Sequence, residues 1–193
     1  VMNISIDNKI IAQTALRSFE GQPTVTKYWD NDRNNFIHIL SCKDKPYDGI
    51  DSFSTIGLSD YSIGYLIDDV PLRVELVGAC ISEFEFFPNI LGTCAFNIIN
   101  SNYSCNPGTI FENIIEQYIP NIYMKHILFV PPFLWENKLE TLSFTSKKVA
   151  WLLAIPISHR EFQYAKDNGT EALEDLFEKE QINIFNLKRD SIL

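Results

Sequence analysis

The chain has 193 residues, a length that suits one domain, or at most two small ones, with a sizeable core. Its 16 Lys and Arg side chains are outnumbered by 25 Asp and Glu side chains, so the formal net charge is −9 at pH 7. This charge argues against nucleic-acid binding, which needs a basic face for phosphates, and is compatible with a basic partner. The hydrophobic content of 46% exceeds that of a disordered chain.

The sequence also carries no signal for export, membrane insertion or metal binding. No stretch approaches the ~18 continuous apolar residues of a membrane span, and the first seven residues lack the basic and apolar run of a secretory signal. The four cysteines form no CxxC pair, so we interpret them as buried free thiols. We therefore expect a cytoplasmic protein that does not associate with a membrane and has no cofactor.

The first part of the chain is predicted to be a helix followed by strands. An apolar stripe from Ile11 to Phe19 predicts the helix, which Gly21 ends. The segment 72–77 alternates strictly, so we expect one of its faces to meet water or a partner. Runs of β-branched and aromatic residues predict five strands, at 25–29, 36–42, 53–58, 62–67 and 72–77, with a hairpin loop at 31–35.

The middle of the chain contains one clear helix and one ambiguous segment. Pro88 at a first helical position and an apolar stripe up to Ile99 predict the helix. The segment 110–119 leaves two interpretations open. Its apolar pairs, with Thr109 and Glu112 as a capping box, fit a helix, whereas its β-branched content fits a strand.

The last part of the chain is predicted to hold further strands and two helices. A capping box of Ser158 with Glu161 starts the first helix and Gly169 ends it, while Thr170 is expected to cap the second. Strands are predicted at 125–130, 139–144 and 149–155, of which the last is continuously apolar and therefore central and buried. The pattern predicts an α+β fold, one compact domain over 1–193 with a mixed β-sheet flanked by helices.

None of the three histidines has the sequence context of a catalytic or metal-binding residue. His38 lies within a strand, and His126 starts one without a metal-binding partner at helical or hairpin spacing. His159 is adjacent to Ser158, but neighbouring residues on a helix do not face one another, and Ser158 already has a capping role. Phosphate-binding glycine motifs are absent from the sequence. We predict no catalytic residue and no metal site.

Acidic residues concentrate in two stretches of the sequence. The stretch 161–180 has seven acids and two lysines, which fits a solvated surface with ordinary helix-end charges. The stretch 30–69 has eight aspartates and three basic residues, and could equally be a solvated surface or a negative platform for a cationic partner. As candidate contact residues we single out two aromatic side chains and seven aspartates: Tyr28, Trp29, Asp30, Asp32, Asp48, Asp51, Asp60, Asp68 and Asp69.

Five segments, in order across nearly the whole chain, carry a resemblance to a known family. They are 27–30 (KYWD), 54–59 (STIGLS), 128–135 (LFVPPFLW), 151–158 (WLLAIPIS) with Glu161, and the tail around 189–191 (RDS). Together they resemble the bacterial suppressor-of-fused-like domain family. The chain looks most like its subgroup of antitoxins, or immunity proteins, paired with LXG-type polymorphic toxins.

This resemblance implies a function without catalysis. It implies that the protein binds and neutralises the toxin domain of a cognate partner, often a nuclease, and it supplies no catalytic residue. A nuclease presents a basic groove to phosphates, so an acidic inhibitor would suit it. Two alternatives remain open, namely an interaction scaffold that sequesters a regulator, as in the eukaryotic branch of the family, and a hydrolase that uses His159 or an acidic cluster.

Overall fold

The computed structural model describes residues 4–193. Residues 1–3 lie outside the described part, and they belong to the segment 1–7 for which no secretory signal was predicted. Within the described part, nine strands form one sheet and four α-helices cover its faces. The strands are β1 (Pro23–Trp29), β2 (Phe36–Cys42), β3 (Ile50–Ile56), β4 (Tyr65–Ile67), β5 (Val70–Ile81), β6 (Ile110–Phe111), β7 (Met124–Val130), β8 (Leu142–Ser143) and β9 (Lys148–Ser158). The helices are α1 (Ile6–Phe19), α2 (Phe87–Ser101), α3 (His159–Asn168) and α4 (Thr170–Glu180).

The sheet is mixed because its central pair of strands is parallel. The strand order is β1-β2-β3-β5-β9-β7-β6, with β4 paired to β5 and β8 paired to β9. Strands β5 and β9 run parallel, whereas the other pairs are antiparallel. Both central strands are buried along most of their length, as expected where helices or loops cover both faces of a sheet.

Each face of the sheet has its own hydrophobic core. Helix α2 packs on one face, where Phe87 and Leu91 join Ile37 and Phe53 of the sheet in one buried cluster. Helices α1, α3 and α4 cover the opposite face. The second cluster there draws on α1 (Ile11, Ala15, Phe19), α3 (Phe162, Ala165), α4 (Leu173, Phe177) and the sheet (Leu40, Val77, Leu153). None of the helices within residues 4–193 has the length and apolar character needed to cross a membrane.

The predicted α+β class with a mixed sheet between helices is confirmed, and several local predictions hold. Helix α1 starts one turn earlier than its apolar stripe, because the Ser5 hydroxyl accepts a hydrogen bond from the Asn8 N–H at 3.1 Å and caps it. Pro88 lies in the first turn of α2, as predicted. The capping box of α3 is present, since Ser158 and Glu161 exchange hydrogen bonds of 2.9 and 3.1 Å. The four cysteines are buried and free.

The sequence predicted that one face of 72–77 meets water or a partner. This prediction is wrong for Glu75, the polar residue at the centre of the segment. Glu75 has no exposed surface. Strand β5 lies between β3 and β9, and the loop after β3 covers the end of the strand that carries Glu75. Glu75 is polar although buried because its carboxylate binds this loop.

Other predicted elements differ in length or in their caps. Thr170 does not cap the last helix but is its first residue, and Gly169 occupies the N-cap position without a side-chain hydrogen bond. The ambiguous segment 110–119 is neither one helix nor one strand. It contains β6 and a 3-10 turn, Ile115–Gln117, and the Thr109 hydroxyl donates to the Asn106 side chain at 2.6 Å instead of capping a helix. The predicted strands at 62–67 and 139–144 shorten to β4 and β8.

Candidate partner-binding surface

The nine predicted contact residues lie at two opposite ends of the sheet. Because β3 runs antiparallel to both β2 and β5, the loop 30–35, the 3-10 turn Leu58–Asp60 and the β4–β5 turn at 68–69 meet at one end. We call this end the hairpin end. The connection between β2 and β3 lies at the other end, about 20 Å away along β3. The hairpin end carries Tyr28, Trp29, Asp30, Asp32, Asp60, Asp68 and Asp69, whereas Asp48 and Asp51 lie at the far end.

Asp30 organises the hairpin end from inside. Its side chain is buried, and its carboxylate accepts hydrogen bonds from the Asn34 N–H at 2.8 Å and from the amides of Asn35 and Asn100 at 3.1 and 3.2 Å. Burial alone would raise the pKa of Asp30, but these hydrogen bonds outweigh it and lower the pKa. Asp30 therefore fastens the β1–β2 loop to the last turn of α2, and Asp32 is the exposed acid of this loop.

The two predicted aromatic anchors point to opposite faces of β1. Tyr28 is partly buried and packs against the core on the α2 side, and burial raises the pKa of its hydroxyl. Trp29 is 45% exposed, and its ring lies 5.1 Å from that of Phe36. The Lys27 ammonium lies 4.0 Å from the Phe36 ring centre and 5.0 Å from that of Trp29, a cation–π arrangement. Trp29 is thus the exposed aromatic residue of the pair.

A groove of about 570 Å³ separates this aromatic patch from the first turns of α1. Lys9 and Lys27 line it together with His38, Phe36 and Asp60. The ring of His38 meets Phe36 edge-on at 5.6 Å, and burial together with the nearby Lys27 lowers the pKa of His38. The groove therefore presents cations and an aromatic surface beside the aspartates, so that the hairpin end is mixed in charge.

Two of the predicted aspartates pair with lysines, namely Lys147 just before β9 and Lys148 at its start. The Lys147 ammonium lies 2.8 Å from the Asp60 carboxylate, and Lys148 lies 3.2 Å from Asp68. Lys147 is 87 positions from Asp60 and Lys148 is 80 positions from Asp68, so a count of charges over 30–69 does not include them. Asp32 and Asp69 are exposed and have no cation within 4.0 Å among the described residues. The negative charge of this surface is consequently smaller than the sequence count.

The buried Glu75 supports the same end of the sheet, a structural role that the sequence did not predict. One carboxylate oxygen accepts the N–H groups of Gly57 and Ser59, both at 3.0 Å, and the other accepts the Thr55 hydroxyl at 2.6 Å. Burial raises the pKa of Glu75 more than these hydrogen bonds lower it. Glu75 thereby holds the turn that presents Asp60. The only sequence signal was an acid in a strand whose following residues, 76–81, are apolar.

The aspartates of the far end close the connection between β2 and β3. Asp51 accepts hydrogen bonds from the Asp44 N–H at 3.1 Å and from the Ser82 hydroxyl at 2.8 Å. Asp48 is exposed within the connection. A partner bound at the hairpin end would therefore contact Asp48 and Asp51 only if it spanned the length of β3.

The polar residues at the start of α3 do not converge as a catalytic group. The Ser158 hydroxyl lies 2.8 Å from that of Ser191, and both Glu161 oxygens bind the Arg189 guanidinium, at 2.6 and 2.8 Å. His159 instead contacts His126, with 3.3 Å between Nδ1 of His159 and Nε2 of His126. Within residues 4–193, no group of three or more His, Cys, Asp or Glu side chains is placed to hold a metal ion.

His126 is held as a neutral ring by its surroundings. Its Nδ1 accepts the Asn113 N–H at 2.9 Å, so the proton of the neutral ring is on Nε2, which faces His159. Burial and the neighbouring His159 lower the pKa of His126. This arrangement accounts for a buried histidine without assigning it a reaction.

Comparison with known proteins places these features in a family. The family model described as "Suppressor of fused protein (SUFU)" matches residues 33–190. The chain is 53% identical over 192 residues to "Immunity protein YqcF" of Bacillus subtilis (strain 168), and the match covers 100% of both chains.

Two solved structures share the fold at low sequence identity. A putative SUFU homolog from Neisseria gonorrhoeae FA 1090 is similar with a TM-score of 0.74 and 16% identity, covering 98% of each chain. A chain of the Sufu–Fu complex is similar with a TM-score of 0.65 and 10% identity, covering 95% of this chain and 91% of the other. At these identities the likeness concerns the fold alone.

Proposed function

Because the chain belongs to the suppressor of fused family, we propose that it is an immunity protein, which binds a partner toxin and neutralises it without catalysis. The observation that carries this proposal is the 53% identity to an immunity protein along the full length of both chains. The arrangement at the start of α3 supports the absence of catalysis, because Ser158 and Glu161 bind Ser191 and Arg189 instead of His159.

The partner we propose is the nuclease domain of an LXG-type toxin, met in the cytoplasm. The net charge of −9 supports this choice, since a nuclease carries a basic groove for phosphates and opposite charges accelerate association. The protein would inhibit either by covering that groove or by holding the toxin from an adjacent surface.

The contact surface we propose is the hairpin end. Trp29 supplies an exposed aromatic side chain of the type that dominates binding energies in interfaces. Asp32 and Asp69 supply exposed carboxylates, and Asp60 and Asp68 share theirs with lysines. Asp30 and Tyr28 would support the surface without contacting the toxin, because Asp30 holds the β1–β2 loop and Tyr28 packs β1 against the core. Asp48 and Asp51 would take part only with a partner that reaches the far end.

Co-expression with the toxin encoded beside this gene tests the function. We expect the full-length protein to restore growth and to co-purify with the toxin domain as a stable complex. Titration of purified toxin should reach full inhibition at a fixed stoichiometric ratio, because inhibition by binding consumes one inhibitor per site. Loss of toxin activity at a small fraction of that ratio would indicate the hydrolase alternative. Failure to bind or to protect with any neighbouring toxin would refute the proposal.

A further inference from the structure

A second groove, of about 650 Å³, lies far from the hairpin residues, on the face covered by α3 and α4. Its walls are α4, the C-terminal segment 182–185 and the 3-10 turn Phe133–Trp135, and we call it the α4 groove. The lining is mainly apolar and includes Val130, Ile155 and Phe177 of the second core. Its volume falls within the range of clefts that bind ligands.

The edges of the α4 groove expose two aromatic residues to water. Phe133 is 53% exposed and Tyr47 is 62% exposed. The Tyr47 ring stands edge-on to that of Phe185, with 6.0 Å between ring centres, so the apolar surface continues from the 3-10 turn to the far end of the sheet. A continuous exposed apolar surface of this kind is typical of an interaction site.

Carboxylates form one rim of the α4 groove. Glu174, Asp175 and Glu178 all line it, and Glu174 and Glu178 are one helical turn apart on α4. The lining contains no lysine or arginine. Among the described residues, none of these three carboxylates has a cation within 4.0 Å, in contrast to Asp60 and Asp68 at the hairpin end.

The surroundings of Glu174 favour a cation at this rim. The side chain is partly buried, and burial together with the neighbouring Glu171 and Asp175 raises the pKa of Glu174. A lysine or arginine placed there would relieve the repulsion between these acids. Three of the seven acids of 161–180 therefore line a groove, and the most buried acid of the stretch, Glu161, is already paired with Arg189.

We propose that the α4 groove binds a short amphipathic segment of the toxin that carries apolar side chains along one side and Lys or Arg residues along its edge. This proposal rests on the proposed immunity function and adds a second contact to it. The apolar side chains would lie between Phe133 and Phe177, and the cations beside Glu174 and Glu178. A second copy of this chain is a poor occupant, because two chains of charge −9 repel each other.

Two charge-reversal variants of the full-length protein test the groove. The groove variant is Glu174→Lys with Glu178→Lys, and the matched control is Asp167→Lys with Glu180→Lys, which makes the same charge change at two exposed positions outside the groove lining. Affinity for a catalytically inactive form of the neighbouring toxin is measured by titration calorimetry at about 0.15 M salt, where charges beyond about 8 Å are screened. Circular dichroism and thermal unfolding establish that both variants are folded.

We expect the groove variant to lose about 30-fold or more in affinity and the control to lose less than about threefold, as for charges inside and outside an interface. Phe133→Ser, at a half-exposed position, should lose about tenfold in affinity without altering the salt dependence, and its thermal unfolding shows whether it is folded.

The outcomes separate this proposal from the function on which it rests. If the groove variant binds the toxin with wild-type affinity, or if both charge variants lose affinity equally, the proposal that the α4 groove binds the toxin is wrong. The proposed immunity function would not be affected. A groove variant that changes the oligomeric state of the protein alone, with unchanged toxin affinity, would identify a second copy as the occupant and overturn the proposal too. If the unmodified protein does not bind the toxin, both proposals fail together.

Discussion

At residue 75, a single carboxylate decides the shape of a turn that the surrounding sequence does not specify. Gly57 has a φ of 101°, in the region that favours glycine, and the chain then turns into Leu58–Asp60 with its N–H groups directed inward. Those groups need an acceptor because they are buried, and Glu75 provides it from the central strand. The turn, and with it Asp60, is therefore positioned by a residue 15 positions away.

Replacing Glu75 separates its role as an acceptor from its charge. Glu75→Leu leaves the Gly57 and Ser59 N–H groups without an acceptor, so we expect a loss of about 3–5 kcal/mol in the free energy of unfolding. Glu75→Gln keeps one carbonyl oxygen for both groups and removes a desolvated charge, so a loss of about 1 kcal/mol or less is expected. Urea unfolding monitored by circular dichroism measures both. Equal stability of the leucine variant and the wild type would contradict this role.

At the scale of elements, α3 and the C-terminal segment depend on one buried pair. Glu161 caps α3, and the same carboxylate binds the Arg189 guanidinium through both oxygens and accepts the Ile192 N–H at 3.2 Å. Arg189 also donates to the carbonyl of Pro156 in β9 at 3.1 Å. Strand, helix and tail thus meet at one ion pair, and the segment just before Arg189 forms a wall of the α4 groove.

Removing one member of this pair should destabilise the fold strongly. Arg189→Met leaves Glu161 charged and buried, for which we expect a loss of about 3–5 kcal/mol in the free energy of unfolding. The double variant Glu161→Gln with Arg189→Met should recover part of the loss, because no uncompensated charge remains. Chemical denaturation of the two variants and the wild type provides the comparison. A single variant no less stable than the double variant would show that the pair does not act as a unit.

Elements were predictable where their signals are local. Helix α2 follows from Pro88 and its apolar stripe, and α3 from the pair Ser158 and Glu161, because each signal lies within a few turns of the helix it starts. The burial of β5 was not predictable, since it depends on pairing with β9, more than 70 positions later. The same distance hid the partners of Asp60 and Asp68, and alternation alone does not reveal which face of β1 carries Tyr28.

At the scale of the whole molecule, the positions of the charges in the folded protein differ from what the sequence order suggests for the net charge of −9. The two acidic stretches have equal net charge in the sequence, yet Lys147 and Lys148 pair with acids of the first stretch. In the described part of the chain, the acids at the rim of the α4 groove, in the second stretch, have no cation within 4.0 Å. A basic toxin would therefore be attracted over a broad surface at long range and held by local contacts at short range.

A pair of matched aspartates tests which end of the sheet meets the toxin. Asp32 and Asp48 are both exposed, both in connections between strands, and lie at opposite ends. We expect Asp32→Lys to weaken toxin binding about tenfold and Asp48→Lys by less than about threefold, because only the first would lie inside the contact. Binding kinetics at low and high salt measure both effects. The reverse order would move the contact to the far end and leave the immunity function standing.

The position of β9 has a consequence for how the protein is made. β9 is the last strand of the described residues, yet it lies at the centre of the sheet, between β5 and β7. During synthesis β5 and β7 are made before β9, and until β9 enters the sheet they have open edges that can pair with other chains. Strands β5 and β9 pair although they are more than 70 positions apart in the sequence, and contacts over such a separation make folding slow. Newly made chains are consequently at risk of aggregation until β9 has taken its place between β5 and β7.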